Sequence, residues 1–355
     1  MRIAVDAMGG DVGPAIVVPG AVAGARARGV GVVLVGRRAE IEPELARLDT
    51  SGLDVTVLEA ADVIEMDEHP AQAVRRKPRS SIALALDEVK GARAAAMVSA
   101  GNTGAVMAAA LFVLGRIPGV ERPALASVVP TARGRSLLLD LGAVTDAKPH
   151  HLVQFAQMGH AYARQVLGLP RPSVGLLSNG EEPTKGNRLV QETFPLLAEA
   201  LGTDFRGNVE GRDLALGTTD VIVTDGFTGN VALKTAEGVA TMMGDLIRAE
   251  LTRTTSRKLA AALLRPAFRA VRARLDPSEY GGAPLLGVNG VVVIGHGRSD
   301  AKAIAAAIGA AREAAEHNLV AAIAAALMPS PRQPTATPGE EPAAPSGNST
   351  ARDPT

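Results

Sequence analysis

Short aliphatic runs, loops rich in Gly, Asn and Asp, and longer helical stretches follow one another in a repeating order along most of the chain. The segments Arg2 to Asp6, Val30 to Val35, Val55 to Leu58 and Ala96 to Ser99 read as strands, as do Ser136 to Leu141, Ser173 to Leu177, Asp220 to Thr224 and Val291 to Ile294. Each is too short for a stable helix and ends in turn-forming residues. Helices are predicted from Pro14, a favoured first-turn residue, over Leu152 to Leu167, and over one Ala-rich run from Asp300 to Leu327. Strands alternating with helices predict βαβ units and a mostly parallel sheet with helices on both faces. Ligands of such sheets gather beyond the carboxyl ends of the strands, where these loops fall.

Three stretches depart from that order. Ala94 to Gly115 carries no charge and is long enough to cross a bilayer, but Ser99, Gly101, Asn102, Thr103 and Gly104 interrupt it. It reads as a strand, a turn and a buried helix. Leu251 to Leu275 carries Arg253, Arg257, Lys258, Arg265, Arg269, Arg272 and Arg274 without an acid. Leu264, Phe268, Val271 and Leu275 recur there at helical spacing beside Arg265, Arg269 and Arg272. Pro266 is expected to divide the segment into two helices, so that residues 245–280 form a projecting basic amphipathic tip. Such a tip suits an anionic membrane surface or an acidic protein; an ordinary helix face packed on the core or on another subunit fits equally. Residues 328–355 turn to Pro, Ser, Thr, Gly and Glu and are expected to be a disordered tail, leaving residues 1–327 as the folded part. At the N-terminus Asp6 ends the apolar run too early for a secretory signal.

Composition narrows the chemistry. At 355 residues and 46% hydrophobic, the chain can bury one large core or two modest ones. With 37 basic and 37 acidic residues it is not a general nucleic-acid binder, and 2% aromatics with no Trp leave few stacking platforms. The absence of Cys excludes disulfides, thiolate metal sites and a cysteine nucleophile. No metalloprotease helix, calcium loop, P-loop or strict dinucleotide fingerprint is present. Gly297-Arg298-Ser299-Asp300-Ala301 lacks the last Gly of a nucleophile elbow and reads as a helix cap. His150 and His151 are adjacent and are expected to point to different faces, so neither a metal nor another cofactor is implied.

What remains is main-chain amides at helix starts behind Gly-rich turns, which favour anions. Asn102 and Thr103 follow a strand and open a helix, between Gly101 and Gly104. Lys185 sits in a flexible loop with Asn187, where it could reach a phosphate or simply be solvated. Asp225 and Gly226 precede another helix that carries Asn230, and Asp225 could equally be its cap.

In order along the chain, these loops resemble the bacterial PlsX family of phosphate acyltransferases. The resemblance rests on Asp6-Ala7-Met8-Gly9-Gly10-Asp11, Met97-Val98-Ser99-Ala100-Gly101-Asn102-Thr103-Gly104-Ala105 and Leu152-Val153-Gln154-Phe155-Ala156-Gln157-Met158-Gly159. It continues through Gly207-Asn208-Val209-Glu210-Gly211-Arg212-Asp213, Asp225-Gly226-Phe227-Thr228-Gly229-Asn230-Val231 and Glu279-Tyr280-Gly281-Gly282-Ala283-Pro284-Leu285-Leu286-Gly287. The chain departs from the family at Val144, where Asn is usual, and at Ser178-Asn179-Gly180-Glu181-Glu182, where Asn-Ile-Gly-Glu-Glu is usual.

The resemblance implies an αβα sandwich, Rossmann-like and similar to isocitrate and isopropylmalate dehydrogenases and phosphotransacetylase. It implies transfer of a long-chain acyl group from acyl carrier protein to inorganic phosphate, by direct attack on the thioester and without a cofactor. The acyl phosphate would pass to a membrane glycerol-3-phosphate acyltransferase. The enzyme would be a cytoplasmic homodimer associated peripherally with the membrane. On this reading Asn102, Lys185, Asn187 and Asp225 are the catalytic candidates. Gly9, Gly10, Gly101, Thr103, Gly104, Gly226, Asn230 and His296 would bind phosphate or substrate. Arg265, Phe268, Arg269, Val271 and Arg272 would meet the carrier protein or the membrane. A phosphotransacetylase using acyl-coenzyme A and a non-catalytic membrane scaffold are the alternatives.

Overall fold

The computed structural model describes residues 1–275 and 281–328. The expected disordered tail therefore lies outside the described residues, apart from Met328. The strands are β1 (Arg2–Asp6), β2 (Gly31–Gly36), β3 (Val55–Glu59), β4 (Ala96–Ser99), β5 (Ala124–Thr131), β6 (Gly134–Leu139), β7 (Val174–Leu177), β8 (Phe205–Val209), β9 (Val221–Val223), β10 (Ala283–Leu286) and β11 (Val291–Ile294). They join one eleven-stranded sheet in the order β3-β2-β1-β4-β11-β10-β5-β6-β9-β7-β8.

The helices are α1 (Pro14–Arg28), α2 (Arg38–Leu45), α3 (Pro70–Arg76), α4 (Ser81–Lys90), α5 (Thr103–Val113), α6 (Pro149–Gln165) and α7 (Arg188–Leu201). After them come α8 (Asp213–Leu216), α9 (Gly226–Leu251), α10 (Thr255–Leu263), α11 (Arg265–Leu275), α12 (Ala301–Glu316) and α13 (Leu319–Leu327).

The period of two along each strand builds the two apolar layers. In β1, Ile3 and Val5 join the core formed with Val17 and Val18 of α1, Phe155 of α6 and Ile304 of α12. Ala4, between them, joins Ile82 and Leu86 of α4 and Val106 of α5 on the other face. The αβα sandwich follows from that alternation.

Strands β3, β2, β1, β4 and β11 are mutually parallel, and so are β6, β9, β7 and β8. Between the blocks, β10 runs antiparallel to both β11 and β5, and β5 runs antiparallel to β6. The second block consequently points opposite to the first.

The three strands that the sequence pattern passes over are the irregular ones. β5 contains Pro130, β8 contains Gly207 at φ 92° beside a register shift, and β10 has only four residues including Pro284. The Ala-rich run is two helices rather than one, because Asn318 takes a left-handed φ of 49° between α12 and α13. Ala94 to Gly115 folds as β4, a turn and α5, and among the described residues no helix is long and apolar enough to cross a membrane. The basic segment does divide near Pro266, into α10 and α11, with Pro266 in the first turn of α11. These two helices pack chiefly on each other and α9.

α1 and α12 pack closely because α1 carries Gly20 and Gly24 on the shared face. A Cβ on Gly20 would lie 2.7 Å from the Ala301 carbonyl oxygen and 2.7 Å from Ile304 Cβ. Gly20→Ala is therefore expected to lower stability by ~1–3 kcal/mol, measured as a lower urea midpoint with an unchanged slope.

Candidate active site

Because β1 and β4 are neighbouring parallel strands, the residues that end them meet. Asp6 is buried; it accepts a hydrogen bond from the Ser99 hydroxyl at 2.6 Å and another from the Met8 amide at 3.2 Å. Ser99 Oγ in turn accepts from the Gly101 amide at 3.0 Å. Burial raises the Asp6 carboxyl pKa above its ordinary value, against the opposing hydrogen bonds of Ser99, Ser81 and Met8. The two glycine loops lie in contact: a Cβ on Gly9 would sit 2.6 Å from the Gly101 nitrogen and 2.9 Å from Asp6 Oδ2.

β11 closes this first cradle. The Asp11 amide donates to the Gly297 carbonyl at 2.8 Å, and the Gly295 amide donates to the Ser99 carbonyl at 2.8 Å. Gly9, Gly10, Gly101 and the loop bearing His296 are thus gathered at the ends of β1, β4 and β11. His296 is exposed, and its Nδ1 accepts from the Arg298 amide at 3.2 Å. Asn102 caps α5, its Oδ1 accepting from the Ala105 amide at 3.0 Å. Its Nδ2 donates to the carbonyls of Met66 and Glu68, each at 3.0 Å. Thr103 and Gly104 open the helix, so their amides have no intrahelical acceptor.

The second block repeats the device. Asp140 follows β6, is fully buried, and is enclosed by main-chain donors. Oδ1 accepts from the amides of Leu125 (2.9 Å), Ala143 (3.1 Å) and Gly142 (3.2 Å), and Oδ2 from Val144 (2.6 Å). Burial raises its pKa too, opposed by those amides. Gly226 opens α9 over it, where a Cβ would lie 2.7 Å from Asp140 Oδ2. The parallel is visible in sequence: Gly101-Asn102-Thr103-Gly104 and Gly226-Phe227-Thr228-Gly229 each follow a strand and start a helix. Asp225 caps α9, accepting from the Thr228 amide at 2.9 Å and its hydroxyl at 2.7 Å. Asn230 Nδ2 donates to the Leu141 carbonyl at 2.9 Å. At position 144 the bonds are made by main chain, the amide to Asp140 and the carbonyl from the Gly226 amide, so Val supports the loop as Asn would.

The loop after β7 carries Lys185 and Asn187. Asn187 caps α7 through the Val190 amide at 3.0 Å. The Lys185 side chain is exposed and forms no hydrogen bond or ion pair among the described residues. Beneath the loop, the buried Ser178 Oγ and Asn208 Oδ1 lack hydrogen-bond partners among the described residues.

Three of the four catalytic candidates, Asn102, Asn187 and Asp225, therefore have side chains engaged in helix capping, and Lys185 alone projects a free functional group. Among the described residues no hydrogen bond or ion pair links the Asn102 loop to the Lys185 loop. Asp6, Ser99 and Asp140 are the organising residues that the sequence reading did not single out. An acid directly after an aliphatic run was the available signal.

The expected divergence of His150 and His151 is corrected. His150 Nε2 lies 2.8 Å and His151 Nε2 3.5 Å from Glu121 Oε2, which makes the trio a possible metal-ligand set by distance. The long side chains converge on a residue from another segment. His151 Nδ1 accepts from the Lys148 amide at 3.1 Å, which puts the ring proton on Nε2, facing Glu121. This arrangement is a hydrogen-bonded trio, and a metal at His151 would have to displace that proton.

Asp6→Asn tests the buried charge. Above the raised folded pKa of Asp6, the wild type carries a desolvated carboxylate, so the variant should melt at an equal or higher temperature at pH 7. That relative advantage should fade as pH falls through the raised value, and be gone below the ordinary 3.8, where the wild-type carboxyl is neutral in both states. Thermal melts across this pH range check it.

The family model described as "Fatty acid synthesis protein" matches residues 1–322. A phosphate acyltransferase of Anaeromyxobacter sp. (strain Fw109-5) is 53% identical over 329 residues, covering 92% of this chain and 91% of the relative. One of Pelotomaculum thermopropionicum is 50% identical over 320 residues, covering 90% of this chain and 93% of the relative. In fold, the chain is similar to a phosphotransacetylase from Streptococcus pyogenes, with a TM-score of 0.61 at 17% identity over 88% of this chain and 94% of that one. It is also similar to a 4-hydroxythreonine-4-phosphate dehydrogenase from Klebsiella pneumoniae, with a TM-score of 0.52 at 16% identity over 88% and 99% of the two chains.

Proposed function

Because the chain belongs to the fatty acid synthesis protein family and is an acyltransferase, we propose that it moves a long-chain acyl group from acyl carrier protein to inorganic phosphate. A phosphate oxygen attacks the thioester carbonyl carbon, the C–S bond breaks, and acyl phosphate and the carrier thiol are the products. A thiol is a good leaving group near its ordinary pKa of ~8.5, so no strong general acid is needed. Holding the two reactants together can supply on the order of 7–11 kcal/mol, and donors aimed at the oxyanion add to it.

The observation that carries this reading is the first cradle. Its polar side chains are occupied by bonds within the protein, while the amides that start α5 have no helical acceptor. That is a site for an anion brought from outside, consistent with phosphate as the nucleophile. Gly9, Gly10, Gly101, Thr103 and Gly104 form the cradle, Asn102 positions it, and His296 borders it. In the second block the corresponding helix-start amides of Gly226 and Thr228 already donate to the Val144 carbonyl and to Asp225. Lys185, with its free ammonium, supplies positive charge to the substrates. Asp225, Gly226, Asn187 and Asn230 act by shaping their loops.

The tip is proposed to meet the carrier protein and an anionic membrane, placing the enzyme at the bilayer beside the acyltransferase that consumes its product. Leu263, Leu264, Phe268 and Val271 are exposed at 81%, 52%, 39% and 55%, an apolar surface flanked by the exposed Arg265 and Arg269. The side chain of Arg272 and residues 276–280 lie outside the described residues. The apolar face of α9, with Val239, Met243 and Ile247 exposed, supports pairing with a second copy.

Purified protein is expected to release free carrier protein from long-chain acyl carrier protein only when phosphate is present, and to prefer that donor to acetyl-coenzyme A. Lys185→Ala should slow this release roughly tenfold or more, a loss of at least about 1.4 kcal/mol of transition-state stabilisation. Normal release without phosphate would refute the reaction, and normal turnover in the variant would refute the role of Lys185. Phe268→Asp should fold normally yet sediment less with vesicles containing anionic lipid; unchanged sedimentation would remove the tip from membrane binding.

A further inference from the structure

A lysine ammonium rides on four methylenes and has no direction of its own, so a lysine that serves a reaction needs its backbone and stem held. The loop after β7 holds Lys185 at both. The Lys185 amide donates to the Glu182 carbonyl at 3.0 Å, closing a turn. The same carbonyl accepts from Asn208 Nδ2 at 2.8 Å. Asn208 stands on β8 opposite Leu176 of β7 and is only 5% exposed. A buried side chain of the neighbouring strand is in this way joined to the turn that carries Lys185.

From the other side, Gln191 of α7 reaches back over the loop. Its Nε2 donates to the Thr184 carbonyl at 2.9 Å and to the Gly186 carbonyl at 3.1 Å, the residues on either side of Lys185. The Gly186 amide donates to Asn179 Oδ1 at 2.9 Å. Gly180 makes room for the stem. A Cβ there would lie 2.8 Å from Lys185 Cγ and 3.0 Å from Glu182 Oε2, so the stem crosses where a side chain would stand.

The bonding of Asn208 is one-sided. A carbonyl can only accept, so the amide NH2 must face Glu182. Oδ1 is then turned into the interior, without a partner among the described residues. A buried acceptor left unpaired lowers stability. An apolar side chain of similar size would fill the space between β8 and the loop at least as well. What the amide adds is the donor to Glu182.

We propose that Asn208 and Gln191 are positioning residues for Lys185, fixing from two sides the turn that aims its ammonium at the substrates. The proposal rests on the role given to Lys185 above and extends it to two side chains that act through the loop.

Asn208→Val removes both the donor and the unpaired acceptor, suits a strand, and leaves the Glu182 carbonyl its bond from Lys185. It should melt at the same or a higher temperature than wild type, yet slow phosphate-dependent release of the carrier roughly fivefold. Gln191→Ala, at an exposed helix position, should keep the fold and slow release roughly twofold. Each change should alter the same kinetic constant as Lys185→Ala, and have no further effect when made in the Lys185→Ala protein. Amides of residues 179–187 should exchange hydrogen faster in both variants, and the other amides at the wild-type rate.

Equal slowing with and without Lys185 would overturn the proposal, as would normal turnover in both variants. A lower melting temperature for Asn208→Val would make Asn208 a structural residue and remove it, and Gln191→Ala then decides the rest. If Lys185→Ala turns over normally, or wild type transfers no acyl group, the reading of Lys185 or of the reaction fails by itself. Hydrogen exchange still decides the clamp: faster exchange confined to residues 179–187 sustains it, and unchanged exchange ends it.

Discussion

A buried carboxylate at the end of a central strand organises each half of this molecule. Removing a charge from water is costly unless donors replace the lost hydration, and the donors recruited around Asp6 and Asp140 determine the shape of the adjoining loops. The solutions differ. Asp140 collects four main-chain amides and turns its own loop inward. Asp6 is held mainly by a hydroxyl, that of Ser99, which passes the constraint to Gly101. The first solution consumes the amides of Leu125 and residues 142–144 and ties the Gly226 amide of α9 to the Val144 carbonyl, whereas the second leaves the amides of Thr103 and Gly104 without a helical acceptor at the start of α5. Two related strand–glycine–helix turns thereby acquire different chemical capacities.

Much of the fold was legible because its strands are dense in β-branched residues and end in glycine turns. β2 is the clearest case, all six of its residues being buried. The strands that escaped are those where the backbone yields to a local need: Pro130 in β5, Gly207 in β8, and the four-residue β10 behind Gly281 and Gly282. These include the strands that reverse direction between the blocks, so the pattern announced a mostly parallel sheet but not its reversal. The left-handed Asn318 also left no trace in the Ala-rich composition around it.

The site was legible at the level of loops and much less so at the level of side chains. Asn and Asp before a helix can bind a ligand or cap the helix, and the two roles call for the same residue at the same place. Asn102, Asn187 and Asp225 all resolve toward capping in their geometry. The bond from Ser99 to Asp6 spans 93 positions, which no local pattern conveys. His150 and His151 show the same limit: helical spacing separates their Cβ atoms, but Glu121, supplied by another segment, draws their rings together.

The reversal of the sheet has a chemical consequence. Had all the strands run one way, their carboxyl-end loops would share one edge, and two substrates could meet there directly. With the blocks opposed, loops after β6, β7 and β9 leave the sheet in the opposite direction from those after β1, β4 and β11. Among the elements of the second block, α9 is the longest, its 26 residues spanning ~39 Å from its seat over Asp140 to the basic helices α10 and α11. It is anchored at its start by Gly226 and Gly229 against Asp140, where added side-chain atoms would collide with the carboxylate or its main chain. A long helix rigidly seated at one end transmits its position to the other. The glycines over the second buried carboxylate therefore set the direction in which the basic helices α10 and α11 are carried, although they do not touch them.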